Sequence, residues 1–413
     1  MSNNFVVADW VAMEALRLLT NKLEVAQFFE TKYNKEFEQS FAVGDTVRIK
    51  LPQQWTVSNQ IGYAPQAIDR KYVTVSVDQF FQIGFDYDSV EQALKLERSQ
   101  AEVSKQYIEP AIAQMKQEID SRAALFGYQH ANNIVGVLGT DPTSTATVMQ
   151  ARQILMEKAC PPSGERGFII PPSVNTAIVP AISSLFNPSS EISREFREGS
   201  IGKLNGFDWY ESMSLYTHTA GTWQGAVSIA TTASDGDTTL ALTCTTGDTF
   251  KAGDKIGVAS VYPVNPMTRR TTSTAKTMTF TVLADATGAS SAATISVSPA
   301  MYGPGSQYQN VNRLPTASDV VTLFPGTSSP NGKQGKIGLA IHPDAYAIVG
   351  VKLDMPKQIE AGSQQRDPET GISIRFTKTW DPLLSRMVTR FDCLMGFGAL
   401  RPNNACVAVL CGA

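Results

Sequence analysis

Long apolar runs are missing from this 413-residue sequence, and none approaches the roughly 20 residues that a bilayer-spanning helix requires. Excess charge is missing too. Thirty-five Lys and Arg against 38 Asp and Glu leave a net charge of -3, which excludes the basic surface of a usual nucleic-acid binder. Only five cysteines occur (Cys160, Cys244, Cys393, Cys406 and Cys411), and no two stand in a C-x-x-C pair. They read as free thiols of a reducing compartment, neither a disulfide frame nor a zinc site. The opening Met1-Ser2-Asn3-Asn4 lacks the basic n-region of a secretory signal, and no Asn-x-Ser/Thr sequon has a permitted middle residue. Both fit a soluble chain kept in the cytosol. What is present is apolar content of 42% with 18% charged residues, which excludes wholesale disorder. The length predicts two or three structural units with a large core.

Signals for catalysis or a cofactor are also lacking. The stretch Gly326 to Gln334 comes nearest to a phosphate loop, but it has one residue too many between its glycines and Gln where magnesium needs Ser or Thr. Gly396-Phe397-Gly398-Ala399-Leu400-Arg401 misses the last glycine of a dinucleotide fingerprint. Asp235-Gly236-Asp237 has no closing Glu for a calcium loop and reads as a turn. His130, His218 and His342 stand in separate segments, with no ligand spacing and no nucleophile elbow. The expectation is a protein with no catalytic, cofactor-binding or metal-binding residues.

Composition changes along the chain. None of the 18 Glu falls between Ser212 and Ile359, whereas 19 Thr fall in residues 219–298 and only five in 1–130. Glu favours helices and Thr a pleated surface, so the middle reads as a strand-rich insertion. A helix is predicted near Asp9 to Phe29, capped by Asp9. Alternating strands Val47–Leu51 and Val73–Val77 flank a polar connection of 21 residues, read as an extended hairpin arm. Helix is predicted from Asp88 to about Val135, with a kink or restart at Pro110 and a buried stripe of Ile108, Ile112, Met115, Ile119, Ala123 and Phe126. Thr145 to Lys158 suits a helix and Phe168-Ile169-Ile170 a buried strand. Residues 219 to about 330 read as a small β-barrel or sandwich. His342 to Val351 has helical character, and Ile372–Phe376, Met387–Met395 and Val407–Leu410 are β segments. Arg269-Arg270 lies on a Pro- and Ser/Thr-rich loop, and its guanidinium forks suit carboxylates of a neighbouring subunit.

Six stretches carry a resemblance: Tyr107-Ile108-Glu109-Pro110-Ala111 leading to Glu118-Ile119-Asp120; Gly206-Phe207-Asp208-Trp209-Tyr210-Glu211-Ser212; Thr217-His218-Thr219-Ala220-Gly221; Phe250 to Ile256; Ala340 to Ala345; and Gly396 to Pro402. In this order the chain resembles the coat family of short-tailed Salmonella-type phages, within the Hong Kong-type fold of tailed-phage major capsid proteins. The resemblance implies an α+β fold with an N-terminal arm (1–43) and an extended loop (44–72). It further implies a peripheral domain with a spine helix (73–139 and 371–413), an axial domain (140–218 and 331–370) and an inserted β-barrel (219–330).

The implied function is a self-assembling icosahedral shell around double-stranded DNA, the chain acting as virion structural protein and not as an enzyme. The implied partners are copies of the chain in pentameric and hexameric capsomers, scaffolding protein and portal, with weak non-specific contact to packaged DNA and no membrane. Assembly would take place in the host cytoplasm. Candidate intersubunit contacts are Arg48, Lys50, Arg70, Lys71, Arg269 and Arg270. Trp10, Met13 and Leu19 are candidates for docking scaffold. The family's acidic loop before Gly253-Asp254-Lys255-Ile256 is shortened here to Trp223–Thr239, which leaves Pro263–Lys276 as the remaining reach between capsomers. Lys71, Asn403 and Asn404 are the residue types that a self-crosslinking variant of the fold joins, but the family resembled does not crosslink. A β-rich virion surface or decoration protein is the alternative.

Overall fold

The computed structural model describes residues 4–20, 23–32, 46–57, 61–62, 65–68, 71–88, 108–162, 166–183, 202–356, 359, 361–367, 371–382 and 386–412. The chain divides into two compact units: 1–49, 72–123 and 346–398 form the first, and 50–71, 124–345 and 399–413 the second.

In the first unit, helix α1 (Asn4–Thr20) places Ala12, Ala15, Leu16 and Leu19 at steps of three and four and buries them. It packs on the strands Ala361–Arg366 and Ser373–Asp381. Asp9 is not its cap. It lies inside the helix and accepts a hydrogen bond from Ser363 Oγ. The sheet beneath runs Tyr346–Val351, Arg386–Ala399, Ser373–Asp381, Ala361–Arg366, with Gln79–Asp88 paired along Arg386–Met395. The reading of His342–Val351 as helical is overturned. Pro343–Ala345 makes one 3-10 turn, and Tyr346–Val351 is a strand buried over five of its six residues. A strand buried on both faces has no alternation, so its apolar run looks the same as a core helix. Thr46–Lys50 and Tyr72–Ser76 pair as the two-stranded stem expected of the hairpin arm.

Helix α2 (Glu109–His130) carries Pro110 in its first turn, where a missing N–H costs nothing, and its stripe from Ile108 to Ala123 is buried. The predicted span was wider. Residues 89–107 lie outside the described residues, Gln79–Asp88 is strand, and Asn133–Gly136 is strand again. Asp120, fully buried on α2, accepts the backbone N–H groups of Glu24, Val25 and Ala26 at 3.0–3.1 Å. Desolvation pushes its pKa up, although those three bonds pull the other way.

The second unit contains a mixed seven-stranded sheet ordered Asn133–Gly136, Cys406–Leu410, Gln334–Ile341, Gly167–Ile170, Phe207–Glu211, Lys203–Leu204, with Thr217–Thr219 also paired to Gln334–Ile341. Helix α3 (Ala146–Glu157), bounded by Thr145 and Lys158 as expected, packs on Asn133–Gly136 and Cys406–Leu410. Helix α4 (Pro172–Ser183) follows the fully buried strand Gly167–Ile170.

The Thr-rich stretch is a closed barrel of six antiparallel strands: Thr239–Thr243, Ala292–Ser298, Thr279–Val282, Lys255–Val258, Val320–Leu323 and Val227–Ile229. Leu240, Leu242, Ile295, Val297, Val321 and Leu323 are buried, while Thr239, Thr243, Thr294, Ser296 and Thr322 alternate with them outside. The Thr bias is therefore the solvent face of a period-two pattern.

Candidate functional site

Segment 51–71 continues from the hairpin stem, and no strand is formed among its described residues. One further backbone bond, Leu51 N to Lys71 O at 2.9 Å, extends the pairing. Beyond it glutamine side chains substitute for backbone partners. Gln53 Nε2 donates to Ala67 O at 2.8 Å, and Gln66 Oε1 accepts from Thr56 N at 2.9 Å and Thr56 Oγ1 at 2.7 Å. This fastening presents apolar side chains to solvent. Val57 and Ile61 are 99% and 110% exposed, and Trp55 and Ile68 are exposed as well. Covering such side chains contributes about 1.5–3 kcal/mol each, so the segment gains stability only against another surface.

The base of the segment is clamped within its own unit. Lys71 Nζ stands 3.9 Å and 3.7 Å from the ring centroids of Tyr302 and Tyr308 and donates to Tyr302 Oη at 2.6 Å. Gln307 Nε2 donates to Gln54 O at 2.6 Å. Arg269 braces the same loop from behind, its guanidinium donating to Ser306 O at 2.8 Å and to Gln307 O. A left-handed φ of 56° at Arg269 aims the side chain there.

The predicted contact residues thus separate. Lys71 and Arg269 are brought to one clamp and engaged inside the chain, Arg269 through backbone carbonyls of the loop that carries Tyr302 and Tyr308. Arg270 and Lys50 are exposed, and exposed Arg48 lies 4.8 Å over the Tyr72 ring across the stem. Arg70 lies outside the described residues. On α1, Trp10 and Met13 are exposed, but Leu19 is fully buried and does not share their face. Sequence reasoning missed Tyr302, Tyr308 and the glutamines. The available signal was two tyrosines in a loop otherwise made of Gly, Pro and polar residues.

A second cluster lies under the barrel. Lys255, buried on Lys255–Val258, donates to Tyr128 O at 2.8 Å, Ala131 O at 2.6 Å and Thr281 Oγ1 at 3.0 Å, with its ammonium 4.3 Å over the Tyr128 ring. Burial pushes its pKa down. His218 Nε2 lies 2.8 Å from Asp254 Oδ1, and Asp254 also accepts from Lys251 N at 2.8 Å and Gly221 N at 3.2 Å. A carboxylate therefore accompanies this histidine, and Asp344 Oδ2 stands 3.8 Å from His342 Nδ1. The rings of Tyr128, Tyr216 and Phe324 enclose His218, which marks its pair with Asp254 as a structural tie. Among the described residues no group of three or more His, Cys, Asp or Glu is placed to hold a metal.

The family described as P22 coat protein, gene protein 5, matches residues 2–411. No curated protein matches the chain. Similar solved structures include one from Mycobacterium phage Che8, 13% identical with a TM-score of 0.47, covering 94% of this chain and 91% of that chain. The mature capsid of bacteriophage PhiM1 is 11% identical at a TM-score of 0.41, over 89% and 82% of the two chains. The capsid of Ralstonia phage GP4 is 7% identical at 0.41, over 89% and 83%.

Proposed function

This chain belongs to the P22 coat protein family and is a major capsid protein, a subunit of a phage shell; from that premise we propose that segment 51–71 is the arm by which one copy grips the next. The observation that carries this reading is a pair of almost wholly exposed apolar side chains, Val57 and Ile61, on a segment fastened by glutamines and clamped at its base. A subunit that folds alone has no use for ordering such a segment, because its entropy cost is offset only when a neighbour covers it. Fixing the base within the subunit lowers that cost in advance, which favours assembly into closed rings and shells.

In this reading residues 1–43 are the arm, 44–72 the extended loop, 73–139 with 371–413 the peripheral domain, 140–218 with 331–370 the axial domain, and 219–330 the inserted barrel. Copies of the chain form pentameric and hexameric capsomers in the host cytoplasm. The exposed Trp10 and Met13 are the contact offered to scaffolding protein, and a portal completes the shell. A net charge of -3 supports only weak, sequence-independent contact with packaged DNA. The chain performs no catalysis in this role. Deleting Gln54–Ile68 is the test. A folded, soluble subunit that no longer closes shells is expected, and normal shells from the deletion would remove the arm from the account.

A further inference from the structure

Beside the clamp, and wholly within the second unit, lies a cavity of about 190 Å³ lined by Lys71, Lys158, Tyr302, Tyr308, Asn403 and Asn404 among others. Its chemistry is one-sided, with two amines and no carboxylate among the lining residues. Lys158 follows the last residue of α3 and is 4% exposed. Its Nζ has Met278 Sδ at 3.3 Å as hydrogen-bond partner, and a thioether is a weak acceptor. It also borders a larger cleft of about 1140 Å³ along α3 and the barrel. Burial lowers its pKa to about 8, with the neighbouring Glu157 pulling upward, so the ammonium form still prevails at neutral pH. A buried ammonium calls for an oxygen acceptor, and none is supplied among the described residues. Lys71 Nζ uses one N–H on Tyr302 and otherwise faces rings. A third group points to the ligand's nature: Asn403 Oδ1 is buried and has no hydrogen-bond partner among the described residues.

We propose that this cavity is a binding site for free hydrogen phosphate. Two ammonium groups donate to its charged oxygens, and its P–O–H donates to Asn403 Oδ1, so donors and acceptor are both satisfied. Sulfate at neutral pH carries no such proton and leaves Asn403 unpaired. The site therefore prefers phosphate to sulfate. The site shares Lys71 with the clamp at the base of segment 51–71, but phosphate binding to the free subunit does not require that the segment grip a neighbour.

Calorimetric titration of the full-length subunit with phosphate, and separately with sulfate, at pH 7 and constant ionic strength tests the site. One saturable phosphate site is expected, with clearly weaker sulfate binding. Lys158→Met, which keeps the length of the side chain without its charge, lowers phosphate affinity about tenfold or more, as loss of a charged hydrogen bond does. Lys71→Met, on the segment outside the barrel, lowers it similarly and gives the same test should the Lys158 variant not fold. Asn403→Leu removes the preference for phosphate over sulfate. Absence of saturable phosphate binding, or binding unchanged by the folded lysine variants, would overturn the proposal.

Discussion

Two lysines of the second unit are almost fully buried, and their surroundings predict opposite responses to the same substitution. Lys255 Nζ has three oxygen acceptors, two of them backbone carbonyls. Lys255→Met removes all three of these charge-assisted bonds, although Tyr128 O keeps Ala131 N and Ala131 O keeps Thr281 Oγ1, so the urea midpoint of the full chain falls. Lys158 has a sulfur, and Lys158→Met raises the midpoint at pH 7 in phosphate-free buffer. The sign with pH follows from linkage. Its pKa is about 8 when folded against 10.5 ordinarily, so between these values the unfolded chain holds the extra proton and stability rises with pH. The penalty is complete below about 8 and gone above 10.5. At about 1.4 kcal/mol per unit it amounts to roughly 3 kcal/mol. Comparing the pH profiles of wild type and Lys158→Met isolates it, and an identical rise in both would contradict the assignment. Neither lysine was singled out in the sequence as buried, because burial of a charge depends on what the fold brings above it. Lys255 is surrounded by Tyr128, Ala131 and Thr281, of which only Thr281 lies within 30 positions of it.

At the scale of elements, alternation was the legible signal. It marked the hairpin stem and the barrel, while the β segments read at Ile372–Phe376 and Met387–Met395 extend further as the strands Ser373–Asp381 and Arg386–Ala399. It was silent for Ala361–Arg366, which has no apolar alternation and is held as a strand by six register pairs to Ser373–Asp381 and by α1 above. The clamp on segment 51–71 was equally hidden, because Lys71 and Tyr302 meet across 231 positions. Replacing Tyr302 and Tyr308 with Ala should speed proteolysis between Pro52 and Ile68 while far-ultraviolet dichroism stays unchanged. Arg269→Ala should act in the same direction and Arg270→Ala should not, since only Arg269 reaches the loop at Ser306 and Gln307. Equal effects of the two arginines would contradict a brace made by Arg269 alone. In the first unit, Asp120→Ala frees three backbone donors at Glu24–Ala26. Hydrogen exchange at those amides should accelerate well beyond that of the sheet, and unchanged protection would show that Asp120 does not hold this segment.

At the scale of the whole molecule, family and function were legible in the sequence because six short stretches stand in one order along nearly the full chain, and the family match over residues 2–411 bears that out. Which side chains of a helix the fold turns inward was less legible. A residue such as Leu19 lies on the same helix as Trp10 and Met13, yet the fold turns it inward. The central claim is that the subunit is made to be covered by copies of itself. Electron microscopy of the purified full-length chain tests this most directly. Rings or closed shells should dominate the field as concentration rises, built from subunits of 44.7 kDa. A population that stays monomeric and folded at every concentration would contradict the account.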